Sequence, residues 1–271
     1  MTYNIWNGFE WGKDTDRKDK LISWVKSQNP DVLALQELND YTREKLLADA
    51  KKWGHSYAEI LKTSGYPVGI TSNKPIEVKE KILKNMHHGA FHCKITGIDF
   101  FIIHFSPHSY QKRNEESKII LNKLSKLSKE QNMFIVLGDF NSVSPFDGDF
   151  YKDKVTLLSS LRAAELQHSH IRNLLNGELE YGVMGSLLAY PLIDVTQKYT
   201  SGYDERVSFP TQVFETEKGN GRPESSKRID YILVSPFLSE KCINAKVLNQ
   251  KETFNLSDHY PVIAEFNFEI K

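Results

Sequence analysis

Cysteine is scarce: the 271 residues contain two, Cys93 and Cys242. Two such cysteines supply neither a disulfide-stapled scaffold nor a thiolate zinc site, and both are expected to be buried free thiols. A surplus of either charge is also absent, with 35 Lys+Arg against 35 Asp+Glu. Net charge therefore gives no support to broad, sequence-independent nucleic-acid binding, although a local basic patch stays open. No apolar run approaches the ~18–20 residues that span a bilayer, so no transmembrane segment is expected. No internal repeat or composition shift divides the chain, which points to a single domain over residues 1–271 and to a monomer. The opening residues 1–5 read like the end of a buried strand. Further strand residues are expected to precede them, with a leader that would place the protein in a secreted or periplasmic compartment.

What is present is an ordinary globular composition, 39% hydrophobic, 11% aromatic and 26% charged. Residues 32–35 and 134–137 are short continuous apolar runs that predict buried central strands. Asp16 is placed to cap a helix with Leu21, Ile22, Trp24 and Val25 on its inner face, stopping near Asn29-Pro30, and Asp40 to cap a second that ends before Gly54. Residues 111–130 carry Ile119, Ile120, Leu124 and Leu127 at helical spacing. Runs 88–95 and 98–103 flank Thr96-Gly97, which predicts a tight hairpin and argues against an all-parallel sheet. Residues 157–175 read as helix, 177–185 as loop and 215–227 as an exposed loop, and strands return at 229–234 and 262–268. Strand-like and helix-like segments thus alternate, as in a layered α/β domain.

The informative feature is what ends the apolar runs. Asn4, Glu37, His104 and Asp139 all follow such runs, where side chains from distant parts of a chain can meet on one sheet rim. Asp230 sits between Ile229 and Tyr231, and a carboxylate in an apolar strand needs a partner. If His259 lies on an adjacent strand, Asp230 can fix its tautomer, the arrangement that activates a water or hydroxyl. With Asp258, the rim would gather four carboxylates. At ~5 Å each ionised pair repels by about 3 kcal/mol at an effective dielectric near 20, so either some are protonated or a cation is present. Oxygen donors without thiolates favour a hard ion such as Mg²⁺ or Mn²⁺, and a hard ion with a histidine base suits phosphoryl chemistry. Taken singly, each motif also has a plain reading as a turn former or a surface pair.

In order along the chain, Thr2-Tyr3-Asn4-Ile5, Leu35-Gln36-Glu37, Gly138-Asp139-Phe140-Asn141, Arg228-Ile229-Asp230-Tyr231 and Ser257-Asp258-His259-Tyr260-Pro261-Val262 resemble the motifs of the endonuclease/exonuclease/phosphatase family, the deoxyribonuclease I-like superfamily. The resemblance implies a four-layered α/β/β/α sandwich of two mostly antiparallel sheets flanked by helices, with a divalent-metal phosphoesterase site on one rim. Carried over by position, it implies Glu37 as principal metal ligand with Asn4 beside it and Asp258 opposite. It further implies His259 as base oriented by Asp230, Asp139 for the water or the leaving oxygen, Asn141 for a phosphate oxygen, and His104 donating to the phosphate.

Further candidates lie beside these. Asn7 and the aromatics Trp6, Phe9 and Trp11 could meet a substrate or pack on their own domain. Arg113 could reach a phosphate or be solvated. Strand alternation separates His87 from His88 and His92, which argues against a three-histidine zinc site and leaves His88 as a substrate contact. Arg222 and Lys227 read as solvated charges. The expected partner is a phosphate ester. Nucleic acid, a sphingomyelin-like lipid and small phosphate esters all remain open, as does a binding module that keeps the fold without turnover.

Overall fold

The computed structural model describes residues 1–127, 133–213 and 225–267. In chain order the strands are β1 (Thr2–Asn4), β2 (Val32–Gln36), β3 (Tyr57–Ile60), β4 (Gly69–Ser72), β5 (Glu77–Ile82), β6 (Ala90–Ile95), β7 (Ile98–His104), β8 (Phe134–Asp139), β9 (Leu174–Leu175), β10 (Glu178–Leu179), β11 (Ile193–Asp194), β12 (Asp230–Val234), β13 (Cys242–Val247) and β14 (Val262–Phe266). Among the described residues they build two six-stranded sheets, ordered β13-β14-β1-β2-β4-β3 and β11-β12-β8-β7-β6-β5, and the small hairpin β9-β10. Each large sheet is antiparallel except for one parallel pair, β1 with β2 and β7 with β8. The two parallel pairs are central, and their strand ends carry the candidate residues.

The inner faces meet in a core that includes Ala34, Ile70, Phe91, Phe100, Leu137, Ile232 and Val262. The outer face of the first sheet is covered by α1 (Thr15–Gln28) and α2 (Arg43–Lys52), through Leu21, Ile22, Val25, Leu46 and Ala50. That of the second is covered by α3 (Tyr110–Leu124) and the chain that follows β10, through Ile120, Leu124, Val183, Met184 and Leu187. This is the expected α/β/β/α sandwich. Each large apolar side chain buried this way contributes about 1.5–3 kcal/mol, so the layering is set by the apolar stripes themselves.

Local details differ from the sequence expectation. The cap of α1 is Asp14, whose carboxylate accepts from Arg17 N at 3.0 Å, and Asp16 lies within the first turn. The cap of α2 is Thr42, while Asp40 pairs with Lys45 at 2.7 Å. In both cases several polar residues precede the apolar stripe, and the backbone turn decides which one caps. Helix α3 ends at Leu124, and residues 128–130 of its expected span lie outside the described residues. Residues 155–167 form α4 (Val155–Gln167) rather than a helix running to 175, and 182–189, expected in part as loop, form α5 (Gly182–Ala189). The Thr96-Gly97 hairpin is present, with φ of 46° and 85°. Most of the expected loop at 215–227, Arg222 included, and the expected strand residue Phe268 lie outside the described residues. Both cysteines are buried and free, and no helix among the described residues is long and apolar enough to cross a membrane.

One segment has no signal in the sequence. From Trp6 to Trp11 every φ lies between 51° and 62°, a left-handed turn in which Gly8 is the one glycine. Left-handed backbone costs roughly 1–2 kcal/mol per non-glycine residue, so it needs external support. Arg17 provides it, donating to Ile5 O at 2.8 Å, Trp6 O at 3.0 Å and Leu256 O at 3.2 Å, with its guanidinium over the Trp6 and Phe9 rings. Gly8 is required for space as well, since a Cβ there would stand 2.2 Å from Asn39 O.

Candidate active site

The rim where β1, β2, β7, β8 and β12 end holds the cluster. Strand register does the assembling: Asp139 is the cross-strand neighbour of both Asp230 and His104. Gly138 makes the close approach of β7 and β8 feasible, because with φ of 138° a Cβ there would lie 2.0 Å from Ile103 O. Asn4, at the end of β1, bridges the two sheets. Its Nδ2 donates to Glu37 Oε1 at 3.1 Å and to Asp139 Oδ2 at 3.2 Å, and it stands 3.5 Å from His259 Nε2. Its Oδ1 accepts from Trp6 N at 3.1 Å, so Asn4 meets the cluster through its nitrogen, which differs from a plain oxygen ligand. Glu37 is held from its other side by Asn7, whose backbone N donates to Oε2 at 2.8 Å. That bond, rather than the Asn7 side chain, is what the left-handed turn delivers.

His259 and Asp230 form the expected pair, Nδ1 to Oδ2 at 2.8 Å, both buried. Two serines fix the frame: Ser208 Oγ accepts from the backbone N of Ile229 and Asp230, and Ser257 Oγ donates to Asn4 O at 2.7 Å and to Asp258 Oδ1 at 3.3 Å. The free His259 Nε2 faces Asp139 Oδ2 at 3.8 Å, and His104 Nε2 lies 3.6 Å from the same oxygen. Asn141 donates its backbone N to Asp139 Oδ1 at 2.8 Å and its side-chain amide to Phe105 O at 3.1 Å.

The electrostatics follow from burying so many charges together. Burial, then Asp230, pushes the Asp139 carboxyl up to about 7. Asp258 is likewise pushed up to about 7, by burial and by Glu37, against the opposing pull of His259. Burial would lower the His259 imidazole, but Asp230, Asp258 and Asp139 outweigh it and raise the group to about 10. His104 is the reverse case: burial, then its neighbours His88 and His259, hold it neutral well below the usual histidine range. The surplus of negative charge is what a divalent cation offsets, and carboxylate oxygens such as those of Glu37 and Asp258 are the kind a hard ion takes. Asp139, Asp230 and His259 also bring ligand atoms within 4.8 Å of one another, so the donor set fits a metal centre.

The remaining candidates separate. His88 is buried and stacks on His104 at 4.1 Å, while His92 pairs with Asp99 at 2.7 Å, away from the cluster. Phe9 is buried in its own domain and Trp11 is 48% exposed. Arg113 is buried rather than solvated. Its Nη1 donates to Ser106 O at 2.9 Å and Asn173 Oδ1 at 2.7 Å, which makes it a clamp between loops. Lys227 corrects the sequence expectation: it is half-buried, not solvated, with its ammonium 5.1 Å over Phe209, whose ring lies 4.9 Å from His259. Burial lowers its pKa, against the opposing pull of the Asp139 carboxylate. Its place beside Arg228 was the available signal. Arg228 itself is structural, fully buried against Asp147 and Asp194 at 2.7 Å each.

A model of the Endonuclease/Exonuclease/phosphatase family matches residues 1–259. No curated protein matches in sequence. Among solved structures, an AP endonuclease from Archaeoglobus fulgidus superposes with a TM-score of 0.71 at 21% identity, covering 98% of both chains. The 3' phosphatase NExo from Neisseria, bound to product DNA hairpin, gives 0.66 at 18% identity over 98% of both chains. A humanized D. rerio TDP2 gives 0.61 at 16% identity, over 98% of this chain and 97% of that one. At these identities the likeness is one of fold.

Proposed function

The chain belongs to the endonuclease/exonuclease/phosphatase family, and we propose that it hydrolyses phosphoester bonds with the help of a divalent ion, Mg²⁺ or Mn²⁺. The observation that carries the reading is the buried Asp230–His259 pair whose free Nε2 faces Asp139, with Glu37 joined to it through Asn4. Glu37 and Asp258 are the residues that would hold the ion, with Asn4 positioning Glu37 through its amide. When bound, a divalent ion supplies positive charge against the phosphate oxygens and offsets the carboxylate field that otherwise keeps His259 protonated.

The chain's own groups divide the rest of the work. His259 Nε2 takes a proton from the attacking water, and Asp230 holds Nδ1–H so that the ring keeps one tautomer and one orientation. Asp139 accepts a hydrogen bond from that water and fixes its direction. Neutral His104 and the Asn141 amide donate to non-bridging oxygens, where charge develops, and Lys227 adds a cation on the same side. A phosphate ester is therefore the substrate class. DNA is one member of that class, and NExo, which shares the fold, is seen with a product DNA hairpin.

The test is a panel of plasmid DNA, single-stranded RNA, a 3'-phosphorylated DNA hairpin, sphingomyelin, inositol phosphates and a chromogenic diester, each with chelator and with added Mg²⁺. At least one should be hydrolysed in an Mg²⁺-dependent way, and His259→Ala and Glu37→Gln should abolish it. If nothing on the panel is cleaved while Mg²⁺ still binds, the chain is a binding module; turnover that survives both substitutions removes the assignment.

A further inference from the structure

A cavity of about 670 Å³ opens between the two sheets at the end of the sandwich opposite the carboxylate rim, within the ~300–1,000 Å³ range of sites that hold ligands. Its floor includes Ile98, Phe100 and Ile135, from the first halves of β7 and β8, whose other ends carry His104 and Asp139. Its roof is a gap in the first sheet. Thr2 of β1 lies opposite Val262 of β14 on one side and Ala34 of β2 on the other. There β1 holds β14 and β2 two strand spacings apart, about 4.8 Å each. Beyond Met1 that width stays open, because β14 runs on to Phe266 and β2 reaches back to Val32.

The backbone around the gap is set for one more strand. Met1 N donates to Val32 O at 2.9 Å, and Ala34 N donates to Met1 O at 3.0 Å. Val32 and Ala34 therefore turn their backbone groups toward β1, and the Val32 N–H points into the gap. On the far side, Pro261 O accepts from Leu248 N at 2.8 Å, which is the β13 side of β14. By strand alternation the N–H and C=O of Val262 and Ala264 point the other way. Val262 meets Thr2 there, while Ala264 pairs with no strand on that side among the described residues. Ala264 and Val32 both pack on the core between the sheets, so a residue set between them faces the cavity floor. The Met1 amine closes the end of the gap, and burial lowers it to about 5 against the pull of Asp31.

We propose that this gap is a docking site for the C-terminal end of an extended peptide from a partner protein, which adds a strand antiparallel to β14 and parallel to β2. Strand addition of this kind takes its affinity from main-chain hydrogen bonds and its specificity from pockets for alternate side chains. The last residue of the peptide lies between Ala264 and Val32, where its carboxylate meets the Ala264 N–H and the Met1 amine. The carbonyl before it accepts from the Val32 N–H. Alternation turns the last and third-from-last side chains into the cavity, level with Ala264 and Phe266, and the one between them to the outer face. The ligand class is thus a free C-terminus with apolar residues at those two places. An acyl chain could cover the same floor, but it would leave the Ala264 and Val32 backbone groups without partners, a desolvation cost that a peptide avoids. The site is independent of the hydrolytic reading, since none of its residues belongs to the proposed catalytic machinery.

The experiment is fluorescence anisotropy of tetrapeptides, labelled at their N-termini, titrated with the full chain. Lys-Val-Lys-Val with a free carboxylate should bind at least tenfold more tightly than its C-terminal amide, and than Val-Lys-Val-Lys, which turns lysines into the cavity. Two altered chains should lose that uptake, with thermal melts to confirm folding: Ala264→Phe, which fills the cavity, and a chain lengthened by Lys-Val-Lys-Val ahead of Met1, which fills the gap from within. A chain that hydrolyses no phosphate ester should still take up the peptide. No uptake by wild type, equal uptake of the amide or of the reversed pattern, uptake unchanged in the folded Ala264→Phe or lengthened chain, or displacement of the peptide by an equal concentration of decanoate would each overturn the site.

Discussion

Protons and metal should compete at the rim, and the size of the competition follows from the buried carboxylates. Asp139 and Asp258 both sit at about 7, chiefly because burial disfavours their ionised forms. A divalent ion held by Asp258 would favour the ionised forms of Asp258 and of Asp139 beside it, so at pH 6 it must displace protons that are largely gone at pH 8. Each carboxyl that takes part weakens Mg²⁺ binding about tenfold between pH 8 and pH 6, and the two together about a hundredfold. Calorimetry in two buffers of different ionisation heat measures both the affinity and the protons released. In Asp139→Asn the dependence should shrink toward tenfold. The metal-free chain has a matching stability profile. For a carboxyl raised from 3.8, the stabilising contribution is complete below pH 3.8 and is lost as pH rises through about 7. For His259, raised from 6.5, it is complete below 6.5 and lost as pH rises through about 10. The metal-free protein should thus melt lower at pH 8 than at pH 5, and Mg²⁺ should narrow the gap. Equal Mg²⁺ affinity at pH 6 and pH 8 with no proton release would refute the reasoning.

Three further outcomes are expected. Asp230→Asn leaves His259 in place without its anionic partner, and kcat should fall about 10²–10⁴-fold with KM little changed, measured on whichever panel substrate is turned over; an unchanged kcat would remove the base assignment. Gly138→Ala places a Cβ against Ile103 O, so a loss of about 1–3 kcal/mol is expected by denaturant unfolding, with activity lost as His104 and Asp139 are pried apart. Arg228→Met leaves buried Asp194 without its cationic partner and Asp147 with Arg206 alone, and should destabilise the fold by about 3–5 kcal/mol, with the melting temperature as the check.

The strand-end residues were legible because each lies next to a local signal: an apolar run fixes a strand, and the polar residue that ends it must leave the core. Glu37, Asp139, His104 and Asn4 follow that rule, and Asp230 stood out as a charge with apolar neighbours on both sides. Capping residues were less legible. Asp14 and Thr42 won over Asp16 and Asp40 because the cap depends on where the backbone first turns, and neighbouring side chains compete for that place within one or two residues.

Residue type and short-range periodicity were enough to establish the layered α/β architecture and to single out the carboxylates and histidines that cluster on the rim. The left-handed turn at 6–11, the half-burial of Lys227 beside Phe209, the clamp role of Arg113 and the stacking of His88 on His104 emerge from the folded chain alone. Those features are held by contacts between residues far apart in the chain, such as Arg17 with Leu256 or Arg172 with His108. Local propensity carries no information about such pairs, because their energies exist only once the sheets have brought them together.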